Sequence, residues 1–135
     1  MGSFTNNIGI KNLHLITSAV LIIPIALTYG LYPETTLLKL FDITVENINL
    51  LTIFRGMMGL YLASAAVWIL GVLNPRFWRT ATATNIIFMG GLATGRLLSL
   101  VLDGMPSIYF FYGLLLEMAL ASWGIKNIMK WPGKT

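Results

Sequence analysis

The sequence predicts an all-α fold, a four-transmembrane-helix bundle with both termini in the cytoplasm. Three observations carry this. The chain is 56% hydrophobic and only 10% charged, where a soluble domain carries roughly 25% charged residues. Its apolar residues gather in long runs, each near the ~20 residues a helix needs to cross a bilayer. Its lysines and arginines collect in alternate connections between those runs, the asymmetry that orients membrane proteins. Residues 1–135 are expected to form a single integral membrane domain.

The first span, about 13–31, holds no charge and has Pro24 at its middle. A proline there frees a backbone carbonyl and bends the helix. The run is longer than the apolar part of a signal peptide and lacks a small-x-small cleavage site, so it reads as retained. The segment Thr36 to Phe41, with Leu37, Leu38, Leu40 and Phe41, fits either a short helix lying in the interface or a loop dipping into lipid. The second span, about 45–73, starts behind Thr44 as a candidate N-cap, with Glu46 in its first turn. Asn74-Pro75 ends it, and Pro75 suits the opening of the third span, about 76–102. Asp103-Gly104 stops that helix, and Pro106 precedes the fourth span, about 107–130.

Lys11, Arg76, Arg79, Lys126, Lys130 and Lys134 fall on one side of this topology. The opposite connections carry Glu34, Asp42, Glu46 and Asp103 against a single Lys39. The bias puts the termini in the cytoplasm of a multi-pass protein of an inner membrane. Tyr29, Tyr32, Tyr109 and Tyr112 then fall near the outer face, and Trp78, Trp123 and Trp131 near the inner one, where amphipathic rings favour the headgroup zone.

Arg55, Arg96 and Glu117 lie within the spans. Charges at such depth are costly and need a partner, water or a task. At ~1.5 Å of rise per residue, Arg96 is roughly 10 Å and Glu117 roughly 16 Å below the outer surface. Helical side chains lean toward their own N-terminus, so Arg96 leans deeper and Glu117 leans outward. The two heads converge, which predicts a two-pronged guanidinium–carboxylate pair. Arg55 either joins this cluster or snorkels toward the surface. Asp103 and Ser99 share the helical face of Arg96 and are expected at the rim. Tyr112 is a further candidate for lining the site. Gly113 and Ala121 flank Glu117, Gly59 and Ala63 follow Arg55, and Gly91 and Gly95 lie beside Arg96. Small residues mark faces where membrane helices approach closely.

Other chemistry is poorly served. The chain has no cysteine, which removes disulfides, iron–sulfur clusters and thiolate-bound zinc. Its one histidine, His14, argues against bis-histidine haem and ordinary zinc sites. His14 itself is expected to be an interfacial polar residue. Thr17, Ser18, Thr28 and Thr94 are expected to bond carbonyls of their own helices. No nucleotide loop or nucleophile–base pair is visible. No cofactor and no nucleic acid partner is expected, since the basic residues flank apolar segments instead of forming a face.

Arg55-Gly56-Met57-Met58-Gly59, Gly95-Arg96-Leu97-Leu98-Ser99, Asp103-Gly104-Met105-Pro106 and Glu117 follow one another in an order that resembles domain-of-unknown-function family 4345. The resemblance covers about residues 50–125. It implies a four-helix bacterial membrane protein and supplies no activity, substrate or cofactor. A more distant likeness to DoxX-type membrane proteins rests on architecture alone, which does not transfer function. The functional expectation is a non-enzymatic membrane protein that handles an amphiphilic anion or lipid in its outer half. Arg55, Arg96, Glu117, Asp103, Ser99 and Tyr112 are the candidate ligand-binding residues. The alternatives are a proton-coupled small-molecule transporter using Glu117, a lipid-modifying enzyme, or an assembly subunit that meets a partner or its own copies through small-residue helix faces.

Overall fold

The computed structural model describes residues 2–132, with side chains from residue 9 onward; Lys134 lies outside the described residues. The described chain is helical throughout its ordered elements: α1 (Gly2–Gly30), α2 (Pro33–Phe41), α3 (Ile48–Leu73), a 3-10 turn (Pro75–Phe77), α4 (Trp78–Leu102) and α5 (Ile108–Lys130). Four stretches are long and apolar enough to cross a membrane: Gly9–Gly30, Ile48–Leu73, Pro75–Leu102 and Ile108–Lys130. They match the four expected spans to within a few residues.

Helix ends follow local chemistry. Asn47, not Thr44, caps α3, its side chain accepting from the Leu50 N–H at 2.9 Å. Asn74 both ends α3 and starts the next turn, its side chain accepting from the Arg76 N–H at 3.1 Å. Pro75 opens that 3-10 turn, so α4 proper begins only at Trp78. Proline suits such a position because it has no N–H to leave unpaired. α1 remains helical across Pro24, which is exposed. The segment around Leu37 resolves as helix α2, a turn longer than expected at its start. Thr36 Oγ1 ties it to α1 by donating to the Thr28 carbonyl at 2.6 Å. Asp42 takes a left-handed backbone at φ 56° to end it.

α1 packs along α3, α3 meets α4, and α4 packs along α5, while α1 and α5 touch over only a short stretch. Their polar contact joins the first half of α1 to the last turns of α5, here the proximal end. There Asn127 Nδ2 reaches the Lys11 carbonyl at 3.4 Å. Toward the distal end, which holds α2 and the α4–α5 connection, the α1–α5 seam opens.

Glycines that face inward allow the close approaches. A Cβ at Gly71 of α3 would run into the Cβ of Ala81 on α4. A Cβ at Gly124 would lie 2.8 Å from Cγ1 of Ile86. By contrast, a Cβ at Gly56, Gly59, Gly90, Gly91 or Gly95 would meet nothing within 4 Å. The Gly91/Gly95 face therefore points away from the bundle.

Gly71→Ala is expected to destabilise the fold by about 1–3 kcal/mol through overpacking against Ala81. Gly91→Ala, which meets no neighbour, is expected to leave thermal unfolding in detergent unchanged or slightly raised. Equal effects of the two substitutions would contradict this packing.

Candidate functional site

Interior positions on α3, α4 and α5 recur at helical spacing. On α5 the buried residues are Leu114, Glu117, Leu120, Ala121, Gly124 and Asn127, so Glu117 sits within the inward stripe. Arg96 of α4 crosses to it, with Nε 3.0 Å from Glu117 Oε2. The expected pair is therefore present, but it is not two-pronged. The contact lacks the angle of a directed hydrogen bond, so charge attraction carries it. Another guanidinium nitrogen, Nη1, donates instead to the Phe110 carbonyl at 3.4 Å, and the guanidinium lies over the Phe110 ring, 5.3 Å from its centroid. Such a cation–ring contact adds roughly 0.5–2 kcal/mol depending on desolvation.

Gly113 makes room for this crossing. A Cβ there would sit 3.3 Å from Arg96 Nη1, tighter than ordinary van der Waals contact. The Glu117 side chain is 9% exposed and the Arg96 side chain 23%. The pair is thus enclosed on the acid side and partly open on the basic side.

Aromatic rings surround it. Tyr29 stacks near Phe41 and Phe54, with centroids 6.2 and 6.3 Å away, and meets Tyr61 edge-on at 5.6 Å. Phe41 of α2 stacks on Phe110 at 4.7 Å. These geometries match the ring quadrupole preferences that stabilise aromatic pairs.

Two cavities border Arg96. The first, of about 240 Å³, fills the open α1–α5 seam, reaching from Tyr109 and Arg96 past Glu117 to Ile22, Met89 and Leu120. The second, of about 340 Å³, lies between α3, α4 and α5 toward the distal end, against Met57, Ser99 and Pro106. Tyr29, Tyr61, Arg96 and Phe110 border both. The walls are predominantly apolar.

The candidates drawn from sequence divide. Arg96 and Glu117 meet. Ser99 lines the second cavity and donates to Asp103 Oδ2 at 2.7 Å. Asp103 is exposed and reaches the site only through Ser99. Arg55 is exposed and borders neither cavity. The inward stripe of α3 is Tyr61, Ala65, Trp68 and Gly71. Arg55 stands six residues before Tyr61, about 120° around the helix at 100° per residue. Gly59 and Ala63 turn outward with it. Tyr112 is 62% exposed and also borders neither cavity. It lies five residues from Glu117, about 140° around α5.

Tyr61 is the interior residue that sequence reasoning missed. It is 2% exposed, and its spacing of four and seven from Ala65 and Trp68 was the available signal. His14 is the other buried group whose surroundings the sequence did not reveal. It is fully buried between helices, its ring flanked by Trp78 and Trp123 at 6.3 and 6.1 Å. His14 Nδ1 lies 2.9 Å from Asn127 Nδ2 and 3.2 Å from the Lys11 carbonyl. Thr17, Thr28 and Thr94 do bond their own helices. Ser18 does not, and its buried hydroxyl has no partner among the described residues.

Removing one member of a buried ion pair strands the other charge, at roughly 3–5 kcal/mol for a fully enclosed pair. Because the guanidinium is partly open, Glu117→Ala is expected to cost about 2–3 kcal/mol, below that range. The double variant Arg96→Met/Glu117→Leu should recover most of it. Additive losses in a double-mutant cycle of unfolding would show that the pair is not coupled.

Searches of curated proteins and of solved structures return no significant match to this chain. One family model, described as Domain of unknown function (DUF4345), matches residues 10–125. That match takes in the four spans of this chain apart from the outermost turns of the first and last, so the chain belongs to this family.

Proposed function

We propose that the protein binds a lipid or comparable amphiphile in the paired cavities beside Arg96. The observation that carries this reading is the sharing of one polar group by two apolar cavities: Tyr29, Tyr61, Arg96 and Phe110 border both. Ligand sites are typically apolar hollows of ~300–1,000 Å³ with a few convergent polar groups. The cavities suit an elongated apolar body that bends around or passes beside the guanidinium. Donors of Arg96 that are not spent on Glu117 or Phe110 would hold the head.

Charge balance refines the head's chemistry. Glu117 offsets Arg96 at 3.0 Å, and Arg55 faces away. The cluster is therefore balanced, without the surplus positive charge that an isolated anion would require. A neutral or zwitterionic head with a strong acceptor, such as an ester or phosphate diester oxygen, fits better. An arginine still selects such acceptors over plain hydrocarbon.

The outward Gly56, Gly59, Gly91 and Gly95 favour a second reading, an assembly subunit whose smooth face meets another membrane helix. The two readings are compatible, since that face lies away from the cavities.

Native mass spectrometry with lipid analysis of gently extracted protein tests the proposal. A co-purifying amphiphile is expected with the wild type. It should fall about tenfold or more in Arg96→Ala, because a charge-assisted hydrogen bond is worth ~1.5–3 kcal/mol. Gly113→Leu, which displaces the guanidinium, should lower it as well. An identical lipid complement in all three folded proteins would overturn the reading.

A further inference from the structure

The proximal half of the bundle carries a second set of buried polar groups. His14, Ser18, Thr82 and Asn85 are each fully buried, and Asn127 nearly so. Thr82 is satisfied by the Trp78 carbonyl at 2.8 Å. Several others are not. His14 Nε2, Ser18 Oγ, Trp68 Nε1, Trp78 Nε1, and both Nδ2 and Oδ1 of Asn85 are buried without a hydrogen-bond partner among the described residues. In hydrocarbon surroundings each such group is costly to leave unpaired. A single one is a defect; a set contributed by α1, α3 and α4 at one end of the bundle marks a place where water belongs.

The groups also line up. Asn127 bonds His14, and Gly124 lies three residues earlier on α5. A Cβ at Gly124 would be 3.6 Å from Asn85 Oδ1, which puts Asn85 about one turn, ~5 Å, deeper than His14. Ser18, four residues beyond His14, is at a similar depth. Below His14, a hollow of about 110 Å³ opens against Lys11, Asn12, Pro75 and Trp78, room for several waters at ~30 Å³ each. Above Ser18 and Asn85, the first cavity ends on Ile22, Met89 and Leu120. Each is four residues from Ser18, Asn85 or Gly124, so one apolar layer, a step of about 6 Å along the helices, separates that polar level from the floor of the first cavity.

We propose that the proximal half is a water-lined proton inlet, running from the Lys11/Trp78 hollow past His14 to Ser18 and Asn85. The layer of Ile22, Met89 and Leu120 closes it below the cavity that holds Glu117. Hydroxyl, carboxamide and imidazole groups both donate and accept, and can anchor a water chain, while the indole N–H groups only donate. A proton passes along such a chain by hopping: each water releases one proton as it accepts another, so no covalent product accumulates. The groups facing His14 are Lys11 on its own helix, Trp78 from α4, and Trp123 and Asn127 from α5. Those around Glu117 are Arg96 from α4 and, across the cavity, Tyr61 and Tyr29. The inlet does not depend on the amphiphile reading, because the two occupy opposite ends of the bundle.

The chain contains no cysteine, so single cysteines report directly on hydration. A thiol reacts through its thiolate, which forms where water reaches it. Ser18→Cys is nearly isosteric, and Asn85→Cys provides an independent position. In proteoliposomes both should bind silver ions about tenfold faster or more than Ala26→Cys, a fully buried position off the proposed path. Retention of the thiol is read by maleimide labelling after unfolding. Met89→Ser should also raise proton leak several-fold, read by an entrapped pH dye. Silver rates as slow as that of Ala26→Cys, or an unchanged leak in folded Met89→Ser, would overturn the inlet and its closing layer. Lipid content of the purified protein should not change in Ser18→Cys, which separates this result from the amphiphile test.

Discussion

A guanidinium inside a membrane bundle cannot be left without a counter-charge, and the rest of the distal half is organised around that demand. Arg96 reaches Glu117 at 3.0 Å, and glycine at position 113 leaves room for the crossing. The Phe110 carbonyl and ring take up part of the remaining surface of the guanidinium. Aromatic packing from α1, α2 and α3 then encloses the pair without satisfying all of its donors. Bulky rings bridge the open α1–α5 seam imperfectly, and the two cavities are what they leave.

The pair also explains why α1 stands apart from α5 over much of its length. α5 commits its inward stripe in the distal half to Glu117 and Gly113, which serve α4 and not α1. Toward the proximal end the same stripe presents Gly124 and Asn127, and there α1 makes its polar contact through His14 and Lys11. The bundle is thus held by polar contacts at two depths, with apolar residues between them. Since lipid tails are as apolar as leucine, packing and interhelical polar contacts must supply the association that the hydrophobic effect supplies in water.

Glycine has two roles along these helices. Gly71 and Gly124 face inward and set interhelical distance. Gly56, Gly59, Gly91 and Gly95 face outward and produce a smooth surface. The distinction cannot be made from a small-x-x-x-small spacing alone, because the spacing repeats on every face of a helix. It follows from which larger residues share the stripe: Trp68 and Tyr61 pull Gly71 inward, while Arg55 travels outward with Gly59.

The apolar runs, their punctuation by Asn74-Pro75 and Asp103-Gly104, and the order of charged residues were enough to establish helical class, the four spans and membership of the family. They were also enough to pair Arg96 with Glu117, because depth along a helix follows from residue count and the lean of side chains from helix geometry. The angle of each helix about its own axis was another matter. It is set by which face buries the most favourable contacts against neighbours, and long spans that are apolar on every side carry little record of it. For that reason Arg55 and Tyr112 fell outside the site, Tyr61 entered it, and His14 proved to face its neighbouring helices. Sequence determined what crosses and at what depth; only packing among the helices decided which side chains face one another.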